Sequence, residues 1–172
     1  PKGDRVVFMR AHQLWIVPAD GSAPARQLFY ARGENGSATW SPDGSRLAFV
    51  SDRGDHRFIG VYTPDSAGIR WMAPSTSRDD MPRWSPDGTR IAFVRQPGTG
   101  GAPRPMLTLT PSPWAIWIAD VATGRGHAVW QSPVTLRGSY PTTDGEANLA
   151  WAAGDRIVFL ADLDGWPHLY SM

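Results

Sequence analysis

The sequence predicts an all-β protein: a β-propeller segment of about three and a half four-stranded antiparallel blades, radially arranged. Three observations predict it. The phrase Trp40-Ser-Pro-Asp-Gly-Ser-Arg-Leu-Ala-Phe-Val50 returns almost unchanged as Trp84-Ser-Pro-Asp-Gly-Thr-Arg-Ile-Ala-Phe-Val94. A repeat near 40 residues, made of short strands and turns, marks a propeller. Two weaker copies, Gly3-Asp-Arg-Val-Val-Phe-Met9 and Trp151-Ala-Ala-Gly-Asp-Arg-Ile-Val-Phe-Leu160, put the shared arginine at Arg5, Arg46, Arg90 and Arg156, with spacings of 41, 44 and 66 residues. No 12-residue stretch carries helical spacing.

The elements follow in order. Residues 5–9 are the apolar run of the first copy. Gln13-Leu-Trp-Ile-Val17 is closed by Pro18-Ala-Asp-Gly21, and residues 27–30 follow as a strand. In the second copy a strand ends at Trp40, Leu47-Ala-Phe-Val50 is the next, and Phe58-Ile-Gly-Val-Tyr62 is closed by a turn over 64–68 ahead of Ile69-Arg-Trp-Met72. The third copy repeats this with Trp84, Ile91-Ala-Phe-Val94, Trp114-Ala-Ile-Trp-Ile118, a turn over 120–124 and His127-Ala-Val-Trp130. The last has Trp151, Arg156-Ile-Val-Phe-Leu160 and His168-Leu-Tyr170. Each segment is rich in β-branched or aromatic residues and bounded by Gly, Pro or Asp. The expectation is fourteen strands in groups of three, four, four and three. They form one partial propeller domain over 1–172, with blades near 1–36, 37–79, 80–145 and 146–172. Propellers typically close with 4–8 four-stranded blades, so the chain reads as a piece of a larger protein.

Within the phrase, Ser-Pro-Asp-Gly is a turn. Pro42 and Pro86 set φ at its first corner, Asp43 and Asp87 suit the second, and Gly44 and Gly88 supply the positive φ that follows. The four apolar residues after it are apolar on both faces, as a strand between neighbouring blades must be. Trp40, Trp84 and Trp151 are expected to fill the gaps between blades.

Net charge is +1, and the 16 arginines accompany a single lysine, dispersed along the chain. That leaves no basic footprint for nucleic acid. Cysteine is absent, which excludes disulfides and Cys-ligated metal and fits cytosol or periplasm equally. No 18-residue apolar run is present, so no membrane span is expected.

Few residues suggest chemistry. His12, His56, His127 and His168 lack ligand spacing. Asp162-Leu-Asp-Gly165 opens like a calcium loop but lacks the later acidic ligand and reads as a strand-connecting turn. Gly98-Thr-Gly-Gly101 is followed by neither Lys-Ser/Thr nor a helix signal, as a phosphate loop requires. It belongs to a long stretch, 96–113, with five prolines, that reads as a flap. Arg78, Asp79 and Asp80 are expected on a solvated loop at one ring face and are the candidates for contact with a substrate or partner. No catalytic, cofactor-binding or metal residue is expected, and no Gly-x-Ser-x-Gly elbow occurs in the chain.

The repeated Trp-Ser-Pro-Asp-Gly-x-Arg-x-Ala-Phe-Val phrase resembles the propeller repeats of the TolB-like and prolyl oligopeptidase (S9) families, most closely over 38–95. Asp164-Gly-Trp-Pro-His-Leu-Tyr170 is similar to a segment of S9 propellers in the dipeptidyl-peptidase and acylaminoacyl-peptidase branches, and the insertion at 98–113 suits the S9 pattern. The resemblance implies an N-terminal propeller that gates peptide access to a hydrolase domain lying outside these residues. Its partners would be that domain, the remaining blades and the peptide substrate. Some dipeptidyl peptidases bind the substrate amino terminus with two neighbouring glutamates; only Glu34 and Glu146 exist here, far apart. The alternatives are a non-enzymatic TolB-like interaction propeller, and a propeller lyase or glycosidase, for which no clear acid pair stands out. An incomplete ring would leave apolar blade faces and strand edges bare, so self-association is also expected.

Overall fold

The computed structural model describes residues 2–64, 68–100, 109–141 and 148–172. Outside them lie half of the insertion at 98–113, the middle of the 64–68 turn, and Glu146. The strands are β1 (Arg5–Arg10), β2 (Gln13–Pro18), β3 (Arg26–Gln27), β4 (Glu34–Trp40), β5 (Leu47–Asp52), β6 (Arg57–Tyr62), β7 (Ile69–Met72), β8 (Arg78–Trp84), β9 (Arg90–Gln96), β10 (Ala115–Asp120), β11 (Gly126–Gln131), β12 (Leu149–Ala152), β13 (Arg156–Ala161) and β14 (His168–Ser171). Consecutive strands pair antiparallel in four meanders, β1–β3, β4–β7, β8–β11 and β12–β14. A single parallel bridge, Arg57 to Arg78, links the two middle ones. This is the all-β propeller architecture the repeats predict.

The apolar core lies between meanders. Along β5, Leu47 and Phe49 face Leu14, Ile16 and Leu28 of the first meander. Ala48 and Val50, on the opposite face, meet Trp84, Ile91 and Phe93 of the third. The pattern repeats one blade on: Ala92 and Val94 of β9 pack with Trp114 and Ile116 against Leu149, Ile157 and Phe159. A strand sandwiched this way has no wet face, which accounts for its unbroken apolar run. Gly60 is required by the same packing. A Cβ there would sit 2.6 Å from the Phe49 ring and 2.9 Å from Trp71.

The Ser-Pro-Asp-Gly turns close as the sequence requires. Gly44 and Gly88 have φ of 70° and 69°, and their amides donate to the Ser41 and Ser85 carbonyls at 2.9 Å. The buried serines add what the sequence reading missed. Ser41 Oγ donates to Asp43 at 2.6 Å and accepts from the Arg46 amide at 2.9 Å; Ser85 repeats both bonds with Asp87 and Arg90. The hydroxyl thus ties the turn to the strand leaving it.

The shared arginine latches one blade to the next. Arg5 lies over Trp40, Arg46 over Trp84 and Arg90 over Trp151, at 5.1, 5.4 and 5.0 Å from the ring centres. Arg5 and Arg46 also donate to the carbonyls of Gly44 and Gly88 in the next turn, at 3.3 and 3.0 Å. Arg90 instead reaches Asp155 at 2.7 Å.

Two expectations are corrected. The strand predicted at 27–30 shrinks to Arg26–Gln27. Leu28 makes one more ladder bond, to the Leu14 carbonyl, and turns its side chain into the core. Phe29 packs on Phe49 and Tyr62 at 4.8 and 4.9 Å, while the Gln27 amide caps the Phe29 carbonyl. Side-chain burial outweighs ladder pairing on this edge strand. The loop expected at Arg78, Asp79 and Asp80 is instead the start of β8, because their polar groups find partners inside the fold.

Candidate ligand cleft at the first strands

The first strands of neighbouring blades approach one another. The Trp84 indole donates to the Thr39 carbonyl at 3.0 Å, and Arg83 Nε donates to the Leu149 carbonyl at 2.8 Å. Both β4 and β8 carry a bulge at the same repeat position. In β4, Ser37 and Ala38 fall between the Gly36–Val50 and Thr39–Ala48 pairs. In β8, Met81 and Pro82 fall between Asp80–Val94 and Arg83–Ala92. Two residues there oppose one on the partner strand, which bends the strand and re-aims its side chains. Ser37 and Met81 have φ of 48° and 57°, a left-handed conformation costly for non-glycine residues and concentrated at functional sites. Pro82 donates no ladder bond, so the bulge suits it.

Between these bulges opens a cleft of about 630 Å³. Its polar lining includes Ser37, Thr39, Arg57, Asp80, Arg83 and Tyr140, with the Gln96 amide at its side. Arg57 is held by Asp52 at 2.6 Å and by Asp80 at 2.5 Å, and Arg78 stands 3.7 Å from Asp52. Burial acts most strongly on Asp52 and raises its pKa, but the Gly54 amide, Arg57 and Arg78 outweigh it and hold the carboxyl below its usual range. Asp80 Oδ1 accepts from the Met81 amide at 2.9 Å, which steadies the strained residue. Burial likewise pushes the Tyr140 phenol up; its hydroxyl accepts from Asn148 at 3.1 Å and lies 3.2 Å from the Met81 sulfur.

Of the three sequence candidates, Asp80 lines the cleft, Arg78 donates to the Gly54 carbonyl at 2.8 Å beside it, and Asp79 faces away. Asp79 is fully buried, gripped by two Arg95 nitrogens at 2.6 and 2.7 Å. Burial raises its pKa against the pull of that guanidinium, which also lies 4.0 Å from the Trp117 ring centre. Asp79 therefore braces the strand while Asp80 serves the cleft. Arg57, Arg83 and Tyr140 were not singled out in the sequence. Pro82 inside a strand was the one readable sign of the bulge.

The histidines stay apart. His12, His56 and His168 pair with Glu34, Asp55 and Asp164 respectively. Among the described residues no group of three His, Asp or Glu could hold a metal, and no serine hydroxyl is bonded to a histidine. Asp162 to Gly165 is a turn closed by the Gly165 amide on the Asp162 carbonyl at 3.0 Å. At the start of the insertion, Thr99 donates from its amide to the Asp55 carbonyl at 2.8 Å. No helix of the described residues is long and apolar enough to cross a membrane.

Fold and cleft together define a segment of an antiparallel β-propeller. No protein-family model and no curated protein matches the chain by sequence. Solved structures do resemble it. TolB from Acinetobacter baumannii is 20% identical with a TM-score of 0.64, over 100% of this chain and 38% of its own. An oligogalacturonate lyase in complex with manganese is 20% identical at 0.63, over 99% and 45%. A puromycin-hydrolysing peptidase of Mycobacterium tuberculosis is 18% identical at 0.63, over 98% and 27%. The chain spans less than half the length of each. At these identities the likeness establishes the fold alone, a β-propeller.

Proposed function

We propose that these residues belong to the propeller of an S9-type serine peptidase and that this propeller binds and admits peptides for a hydrolase domain elsewhere in the protein. The cleft carries the reading. It presents hydroxyls, an amide, a carboxylate and guanidinium groups on and around two bulged strands, a set suited to a peptide's backbone and termini. Among the described residues that line it no nucleophile touches a base, and the role proposed for it is binding. The Asp164-Gly-Trp-Pro-His-Leu-Tyr170 resemblance supports the same reading. The alternative, a TolB-like interaction module, is favoured by the match to TolB along the whole chain.

Two measurements test it. The 172-residue chain alone should hydrolyse no aminoacyl-nitroanilide; turnover abolished by a serine-directed phosphonate would place the chemistry here and overturn the division of labour. The full-length gene product should encode a Gly-x-Ser-x-Gly elbow beyond the propeller and take up a fluorophosphonate probe at that serine. A full-length protein with no elbow and no labelling would leave the interaction module.

A further inference from the structure

Among the described residues, the charges around the cleft do not cancel. Arg57 and Arg78 are set against Asp52 and Asp80 in one network. Arg83 stands outside it. Its Nε and Nη1 donate only to backbone carbonyls, those of Leu149 and Pro82, at 2.8 and 3.2 Å, and no carboxylate among the described residues pairs with it. A partly buried guanidinium with neutral partners keeps its full charge in a medium that screens it less than water does. Its planar fork matches a carboxylate. In the preceding repeat the same position is Thr39, so the charge is peculiar to this blade and is no part of the scaffold.

We propose that Arg83 is a carboxylate-binding residue and that, resting on the peptide reading above, it takes the C-terminal carboxylate of a bound peptide. The Ser37 and Thr39 hydroxyls across the cleft and the Gln96 amide offer hydrogen bonds to the adjoining peptide groups. The charge balance selects a monoanion. Among the described residues one unneutralised cation faces the ligand, and Asp80 nearby opposes the second charge of a phosphate dianion. Arg57 cannot compensate, because two carboxylates already hold it.

Calorimetric titration of the full chain tests this with paired probes: N-acetyl-dialanine, its C-terminal amide, an acidic disaccharide and orthophosphate. Acetyl-dialanine should bind and its amide should not. Arg83→Gln should weaken binding about tenfold or more, since a charge-assisted bidentate pair is lost. Arg83→Lys should recover part of the affinity. Asp80→Asn should tighten binding about threefold, because it removes a repelling charge and frees one Arg57 nitrogen. This opposite-signed variant decides the matter even if Arg83→Gln misfolds, as loss of the Leu149 bond could cause; unchanged or weaker binding by Asp80→Asn overturns the proposal. Binding of the disaccharide but not the peptide, still dependent on Arg83, keeps the carboxylate site and overturns the peptide reading. Equal binding of acid and amide, or orthophosphate competing on equal terms, overturns the carboxylate assignment itself.

Discussion

Replacing Arg46 by methionine tests whether the arginine–tryptophan latch joins the blades. The substitution keeps an unbranched apolar stem over Trp84 and removes only the charge and the donor to the Gly88 carbonyl. Arg46 is part-buried and its bond is 3.0 Å long. A cation over an indole contributes about 0.5–2 kcal/mol depending on exposure. A charged donor to a carbonyl contributes about 1.5–3 kcal/mol when well shielded. Partial exposure reduces both, and the methionine stem retains the packing, so the expected loss is roughly 1–2 kcal/mol. With a urea slope near 2 kcal/mol/M, the melting midpoint falls by about 0.5–1 M. Arg5→Met should cost less. Its bond is 3.3 Å and the side chain is 36% exposed. A double-mutant cycle of Arg46→Met with Trp84→Leu should give a coupling of about 0.5–1.5 kcal/mol. Midpoints within error of wild type, or equal losses for Arg5 and Arg46, would show that the stacking follows from blade packing and does not stabilise it.

Further outcomes are expected. Gly88→Val should cost roughly 1–3 kcal/mol, from a β-branched residue forced into positive φ, since a Cβ there meets Arg46 and Pro42 only at ordinary contact distance, 3.5 Å; Asp87→Ala, which leaves the backbone unstrained, should cost less, and a urea melt with the reverse order would refute the turn assignment. In acid, the Ser85 hydroxyl, with the Thr89 amide and hydroxyl, holds Asp87 down to about 2, and the Ser41 hydroxyl with Ser45 lowers Asp43 as well. Folded values below the unfolded 3.8 mean that this stabilisation is complete above that pH and is lost as pH falls towards 2. An Asp43→Asn/Asp87→Asn variant should therefore lose less stability than wild type across that window; Asp79, raised by burial, acts in the opposite sense in both proteins and drops out of the comparison. Val6 and Met9 on β1 and Leu169 on β14 are 49%, 59% and 73% exposed, and light scattering should show the isolated chain self-associating as concentration rises; a monomer throughout would refute this.

The fold was legible because its signals are local. Each Ser-Pro-Asp-Gly turn sets its own geometry within four residues, and each apolar run following it announces a strand covered on both faces. The reading failed where partners are distant in sequence. Arg78-Asp79-Asp80 looks like a solvated loop until Arg95 arrives to neutralise Asp79, and Arg57 to hold Asp80, from other strands. Residues 27–30 look like a strand until the Phe29 ring finds Phe49 and Tyr62. The cleft was less legible still. A bulge is a property of strand pairing, which no single strand's sequence displays, and Arg57, Arg83 and Tyr140 come together only when two blades stack.

The internal repeat nevertheless separates scaffold from site once the structure aligns it. Trp40 and Trp84 repeat, as do Ser41 and Ser85, Asp43 and Asp87, Gly44 and Gly88, and Arg46 and Arg90. All of these build the turn or the latch that the two middle meanders share. Six residues of the first strands precede the tryptophans, and there the copies diverge: Asn35 stands where Asp79 does, Gly36 for Asp80, Ser37 for Met81, Thr39 for Arg83. The backbone bulge is shared while its side chains are not. A stacked-blade fold permits this, because the core between blades draws mainly on the other strands, to which the first strands add Trp84 and Leu149. At the bulge itself Ser37 and Ala38 are exposed, whereas Met81 packs on the neighbouring core and Pro82 is buried, so the position is not held to one packing role from copy to copy. That freedom, together with two residues held at positive φ, argues that the first strands carry whatever specificity this propeller has.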